Sequence, residues 1–347
     1  MNRSIRVGLI GYGFVGSVVH KPLIEATPGF ELRVVATRPE DVKMPLPPGV
    51  DVVPTAEDLL AREDIDLVVI AAPNHLHAPL AIAALERGRH VVVEKPFALD
   101  VSEAKEMIEA AQRNNRILCA FQNRRWDSDF LSVQRALEEN QIGRVLSFES
   151  RIEYFQQVVP NRWRDGARKA GGGIWYDVGP HMVDQALLLF GRPEAVMASF
   201  AALRAGSAVD DWAQVILIYS NMRVVLVGSM IAAGGQRRFV VQGEQGTLIK
   251  TGDDPQERRL KQGIAPSAPG FGDDPDPLVV VRPDGVSATV TAMPGHQITF
   301  YNKLRLALAG ERDTPVTLQQ TLDVTRVIEA GHVSAESGKL VVLEDWS

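Results

Sequence analysis

Apolar positions along this chain fall into two textures. In the first third, short continuous apolar runs alternate with segments whose apolar residues recur at helical spacing. The runs are IRVGLI (5–10), ELRVVATR (31–38), DLVVIAAP (66–73), HVVVEKP (90–96) and RILCAFQN (116–123). Between them lie SVVHKPLIEA (17–26), EDLLARE (57–63), APLAIAALERG (78–88) and SEAKEMIEAAQRNN (102–115). Continuous apolar strands separated by helices predict a parallel sheet covered on both faces. The first 122 residues therefore read as a doubly wound α/β domain of Rossmann type.

From residue 123 to 347 the texture changes. A helix over 126–140, with Asp127 or Ser128 as N-cap, precedes long β-rich runs at 145–155, 195–203, 212–220, 222–233 and 237–250. Turn signals such as Ser220-Asn221 and Pro283-Asp284-Gly285 predict hairpins, hence a large and mostly antiparallel sheet in a second α/β domain. The Pro-, Gly- and Asp-rich stretch 261–277 reads as a surface loop, and helices at 298–310 and 317–338 close the chain. Runs such as QVILIY and VVLVGSMIAA need cover on both sheet faces, which predicts a homodimer or dimer of dimers.

Composition narrows the partners. A chain of 347 residues, 45% apolar and 23% charged, is expected to form two domains with ordinary cores. A formal charge of −6, without basic runs, argues against nucleic acid. Cys119 is the only cysteine, which excludes an internal disulfide and a cysteine-based metal site. No apolar stretch reaches the length that spans a bilayer, and the first residues lead straight into a strand. A cytoplasmic, soluble protein is expected.

Gly11-Tyr12-Gly13-Phe14-Val15-Gly16 follows the first strand and opens a helix, the context that a dinucleotide fingerprint requires. Gly11 permits the turn, Gly13 lets a pyrophosphate approach, and Gly16 lets helix and strand pack closely. The second strand ends in Thr37-Arg38, without the carboxylate that would accept from an NAD ribose. A guanidinium there suits a 2′-phosphate, so NADP is expected ahead of NAD. The alternative keeps Arg38 as a solvated loop residue and gives the ribose to Glu40 or Asp41. Further on, three glycines (171–173) precede a helix expected to start at Gly179–Pro180. His181 would then occupy its first turn, where the positive helix end favours a neutral imidazole, with Asp177 just outside.

In order along the chain, GYGFVG, AAPNHLHAPLAIAALERGRHVVVEKPFA, FQNRRWDSDF and GGGIWYDVGPHMVDQAL resemble the Gfo/Idh/MocA oxidoreductases. Within that family NRRWDSDF, RWR and GEQGTLIKTGDDPQERRL look closest to the NADP-dependent scyllo-inositol dehydrogenase branch. The resemblance covers nearly the whole chain. One departure is Gln122, where that branch carries His before NRRW. The resemblance implies a Rossmann domain followed by an α/β domain with an open-faced sheet. It also implies pyridine-nucleotide-dependent oxidation of a sugar or cyclitol hydroxyl, without a metal.

Carried onto this sequence, the resemblance puts Lys95 between nicotinamide ribose and substrate, with Asn74 and His77 flanking the ribose. Pro73, Glu94 and Gln122 fall beside the cofactor, and Arg124, Tyr154, Trp163 and Arg164 are candidates for the substrate pocket together with His181. As general base, His181 would take the hydroxyl proton, Asp177 would orient it, and Lys95 would stabilise the alkoxide. Two other classes use part of this equipment. A dinucleotide sensor needs only the Rossmann half, and a redox-neutral enzyme with transient oxidation keeps Lys95, Asp177 and His181.

Overall fold

The computed structural model describes residues 4–42, 44–160, 163–234, 237–343 and 346, with the side chain of Arg164 left out. Two compact units emerge: residues 1–123 with 256–271 and 297–322, and residues 124–255 with 272–296 and 323–347. Thus the helices α7 (Gln256–Lys261) and α8 (Thr299–Leu308) fold with the first unit, although the chain reaches them after most of the second.

In the first unit, strands β1 (Ile5–Ile10), β2 (Phe30–Ala36), β3 (Asp51–Val53), β4 (Leu67–Ile70), β5 (His90–Val93) and β6 (Leu118–Ala120) form one sheet in the order β3-β2-β1-β4-β5-β6. Every pairing is parallel. Val34, Val35, Val68, Val69 and Val91 to Val93 are fully buried, as two-sided cover demands. The order reverses between β1 and β4, so a crevice for ligand opens at their carboxyl ends. Behind β1 the chain runs as a π-helix over Val15–His20 and continues as α1 (Lys21–Ala26). Helices α2 (Ala56–Leu60), α3 (His77–Glu86) and α4 (Val101–Arg113) complete the α/β alternation.

The second unit opens with α5 (Ser128–Glu138). Its nine strands are β7 (Val145–Glu153), β8 (Ala195–Ala201), β9 (Trp212–Tyr219), β10 (Met222–Ser229), β11 (Arg237–Gly243), β12 (Gly246–Thr251), β13 (Leu278–Val281), β14 (Ser287–Val290) and β15 (Val341–Val342). They run in the order β14-β13-β12-β11-β7-β10-β9-β8-β15, antiparallel throughout except that β10 pairs parallel with β7. The expected hairpins at Ser220-Asn221 and Pro283-Asp284-Gly285 join β9 to β10 and β13 to β14. Along β9 burial alternates: Ala213, Val215 and Leu217 are inaccessible, while Gln214, Ile216 and Ile218 are half-buried.

Helix α6 (Ile174–Phe190) lies on the inner face of this sheet. A Cβ at Gly228 of β10 would come within 2.7 Å of Val178, so the helix seats directly on that strand. On its far side is α9 (Leu318–Ser337), where Gly331 makes room for Trp175, whose indole N–H donates to Ile328 O at 3.1 Å.

The start of α6 corrects an expectation. The helix begins at Ile174 rather than at Gly179–Pro180, and Pro180 sits inside it. Asp210 provides the physical reason. Its carbonyl accepts from Ile174 N–H at 2.8 Å and its carboxylate from Trp175 N–H at 2.9 Å, supplying the partners that a helix start lacks. The first turn is thereby stabilised well before Pro180, whose missing N–H removes a single rung. Asp177 therefore lies within the helix, one turn before His181, and the argument from a helix end to the charge state of His181 does not apply.

Candidate active site

In the first unit, the residues singled out on the Gly-rich loop follow the carboxyl end of β1. Gly11 adopts φ +94°, and a Cβ there would lie 2.4 Å from Ala71 O. A Cβ on Gly16 would lie 2.1 Å from Gly11 O, so this position closes the helix onto the turn. At Gly13 a Cβ would meet nothing within 4 Å. Two glycines are therefore required by the protein's own packing, and the third leaves bare backbone facing open space, the fit that a pyrophosphate needs. Tyr12 is buried and its hydroxyl donates to Pro45 O at 3.4 Å; burial, aided by Glu25, pushes it up to about 12. Phe14 is exposed beside Val15, and the Lys261 ammonium of α7 stands 4.9 Å from its ring centre.

After β2 the backbone N–H of Thr37 donates to Val53 O at 2.9 Å, so β3 anchors this corner. Arg38 is 70% exposed, and its Nε donates to Asp41 Oδ2 at 2.7 Å. Past β4, Pro73 precedes a short turn opened by the buried Asn74. His77 is wholly buried, with Nδ1 2.7 Å from Pro96 O and Nε2 3.0 Å from Ala72 O. Burial outweighs these carbonyl contacts and holds the imidazole below its ordinary value. A neutral ring donates to one of these carbonyls, and it packs between the segment after β4 and the segment after β5.

Beyond β5 come Glu94, buried, and Lys95, half-buried, joined to Pro96 by a cis peptide bond. Gln122 follows β6; it is buried, and its Oε1 has no hydrogen-bond partner among the described residues, which leaves an acceptor on the same edge of the sheet. The candidate cofactor residues thus follow the carboxyl ends of five strands of one sheet, as dinucleotide sites in such sheets require.

The second unit carries the remaining candidates. Asp177 and His181 are four residues apart on α6 and so share one helix face. One turn further on, Asp184 takes a bidentate pair from Arg125 at 2.6 and 2.8 Å. Gln185 is bound by Arg238 at 2.9 Å and donates to Arg124 O at 2.9 Å. Buried polar contacts therefore lock the helix that bears the proposed base. Arg124 donates to Asp127 Oδ2 at 2.9 Å. Tyr154, part-exposed, is held through its backbone by Ser229, and Trp163 opens a short 3-10 turn. Arg164 is in that turn, with its side chain outside the described atoms.

Sequence reasoning missed three contributors. Asp210 caps α6 from a loop 35 positions beyond Trp175, and no local pattern marks it. His20 contacts both Glu94 and Tyr301, and the two residues His20 and Tyr301 come from segments read as plain helix. Among the described residues no cluster of three or more His, Cys, Asp or Glu could hold a metal ion, and no helix is long and apolar enough to cross a membrane.

Residues 5–122 match the family described as "Oxidoreductase family, NAD-binding Rossmann fold", and residues 134–343 its C-terminal alpha/beta domain. The oxidoreductase YdgJ of Escherichia coli is 42% identical over 339 residues, covering 97% of this chain and 98% of that protein. The scyllo-inositol 2-dehydrogenase (NADP(+)) IolW of Bacillus subtilis is 31% identical, over 98% of this chain and 96% of its own. An oxidoreductase crystal structure from Klebsiella pneumoniae superposes with a TM-score of 0.91 at 43% identity, covering 99% and 96% of the two chains.

Proposed function

The chain belongs to the Gfo/Idh/MocA family of oxidoreductases, and from that premise we propose that it moves a hydride between NADP, with NAD as second choice, and a secondary hydroxyl of a sugar or cyclitol. The observation that carries this reading is the row of candidate residues along one sheet edge, beginning at the bare Gly13 and including Lys95. The dinucleotide, when bound, supplies hydride acceptance. The backbone at Gly11 to Gly16 holds its phosphates, Arg38 its 2′-phosphate, and Asn74 and Gln122 its nicotinamide end. NADP and the cyclitol class are supported by the relative named as an NADP-dependent scyllo-inositol dehydrogenase.

The chain's own chemistry is proton and charge management. His181 takes the hydroxyl proton, and Asp177 orients the imidazole and stabilises it when protonated. The Lys95 ammonium stabilises the alkoxide as it develops. Arg124, Tyr154, Trp163 and Arg164 are assigned to the polyol, and the site of action is the cytoplasm.

Incubating the protein with NADP or NAD and a panel of cyclitols and sugars, read at the NADPH absorbance band, tests this directly. Net NADPH formation with a cyclitol or sugar is the expected result. Substrate conversion without net reduction would replace the proposal by redox-neutral chemistry, and cofactor binding with no conversion of any panel member would leave a sensor.

A further inference from the structure

Glu94 is 5% exposed, and a buried carboxylate is costly unless it is paired and hydrogen-bonded. Its partners are specific. Oε2 accepts from the backbone N–H of Lys95 at 3.0 Å, and Oε1 lies 3.0 Å from His20 Nε2. The other ring nitrogen of His20, Nδ1, lies 2.6 Å from the Tyr301 hydroxyl. His20 and Tyr301 are wholly buried. Three elements of the first unit meet here: the π-helix behind the Gly-rich loop, the strand end that bears Lys95, and α8.

The donors and acceptors run in one direction. Burial alone would raise the Glu94 carboxyl, but the His20 hydrogen bond, the charge of Lys95 and the Lys95 main-chain N–H overcome it and hold the group below its ordinary value. Ionised, it can only accept, so the His20 ring presents Nε2–H to it and Nδ1 to Tyr301. Burial first, then the charge of Glu94, drives the Tyr301 phenol well above its ordinary value, so its hydroxyl stays protonated and donates. The His20 ring is fixed in place by Phe121, at 4.2 Å between centres. An apolar trio would fill the same space without the cost of a buried charge. What the polar trio adds is a carboxylate with a fixed position, bonded to the main chain of Lys95.

We propose that Tyr301 and His20 are positioning residues of the active site: the relay Tyr301–His20–Glu94 fixes the main chain of Lys95 and keeps an anion beside it, so that the ammonium is presented to the substrate oxygen. The inference rests on the reading of Lys95 as the residue that stabilises the alkoxide. Removing the Tyr301 hydroxyl leaves the buried Nδ1 without its partner, so Glu94 alone holds the ring and its orientation loosens. Outer partners that orient an active group typically cost about tenfold to a hundredfold when removed.

Tyr301→Phe is the variant to make, because it keeps the ring contacts with Phe30, Phe121 and Phe300. With the best substrate, kcat should fall about tenfold to a hundredfold, while NADP affinity, measured by fluorescence titration, stays as in the parent. His20→Gln supplies a second line, since an amide N–H can serve Glu94 with no ring for Tyr301 to hold. In that background Tyr301→Phe should cost little further kcat. A purely structural Tyr301 would instead cost the same in both backgrounds, and that result overturns the proposal. Amide 15N–1H spectra of the cofactor-free protein report the network without turnover: the Lys95 amide, which donates to Glu94, should shift in Tyr301→Phe. If no panel substrate is converted, the functional reading fails by itself, and the relay stands or falls on this spectrum. An unshifted Lys95 amide in Tyr301→Phe overturns it.

Discussion

His332, on α9, offers a sharp test of the electrostatics around the loop that leads into α6. Only 6% exposed, it accepts at Nδ1 from Arg168 Nη2 at 2.7 Å, and its ring stacks on Tyr176 at 4.3 Å between centres. Burial first, and then the charge of Arg168, push the imidazole down to about 3, against about 6.5 for an ordinary histidine. The folded protein thus keeps the ring neutral over a range in which the unfolded chain protonates it. With more protons on the unfolded state, stability rises with pH. This contribution is complete above pH 6.5 or so and is lost as pH falls toward about 3. Between pH 8 and pH 5 a shift of this size removes about 2 kcal/mol. His332→Phe retains an aromatic ring against Tyr176 and Phe200 but has no proton to take up. Urea unfolding at both pH values should show the variant losing about 2 kcal/mol less than the parent on acidification. The variant's lower starting stability, from the acceptor that Arg168 loses, cancels in this comparison. Equal losses in the two proteins would refute the assignment of a neutral, desolvated His332.

Three further outcomes are expected. Arg38→Ala should weaken NADP by about tenfold to a hundredfold and leave NAD nearly unchanged, since a charge-assisted contact is worth about 1.5–3 kcal/mol; equal losses by fluorescence titration would make Arg38 a bystander that serves only Asp41. Lys95→Ala should lower kcat by about a hundredfold to a thousandfold and His181→Ala by about a hundredfold to ten-thousandfold. Their double variant should be less than additive, whereas near-normal turnover of Lys95→Ala would end the case for a catalytic lysine. Ile216, Ile218 and the 48%-exposed Met197 lie on the face of the second sheet opposite Ala213, Val215 and Leu217, so sedimentation at micromolar concentration should give a dimer or tetramer, and a monomer would refute this.

Where burial is two-sided or strictly periodic, the fold was legible in the sequence. LVVI of β4 and HVVV of β5 had no alternative to a core strand, and VSEAKEMIEAAQR had none to an amphipathic helix. β3 was not legible, because DVV is three residues long and largely exposed, and pairing with β2 makes it a strand. The start of α6 was misplaced because Pro180 is a strong local signal, whereas the partner that overrides it, Asp210, is distant in sequence. The Gly-rich loop and Lys95 could be read locally because glycine spacing and a charged strand end are local facts. The pairing of His20 with Tyr301 spans 281 positions and exists only once α8 has folded against the π-helix.

The seating of α6 on Gly228 has a consequence for how this protein can diversify. Asp177 and His181 ride on a helix fixed by β10 on one side, Trp175 and α9 on the other, and Asp210 at its start. Tyr154 and Trp163, assigned to the substrate, belong instead to irregular chain after β7. Segments of that kind tolerate substitution far better than packed helices do. On the function proposed above, a lineage would retune which polyol it accepts by drift at positions such as Tyr154 and Trp163 while the proposed proton-handling pair stays where it is. Inherited chemistry and acquired taste are written on separate stretches of backbone.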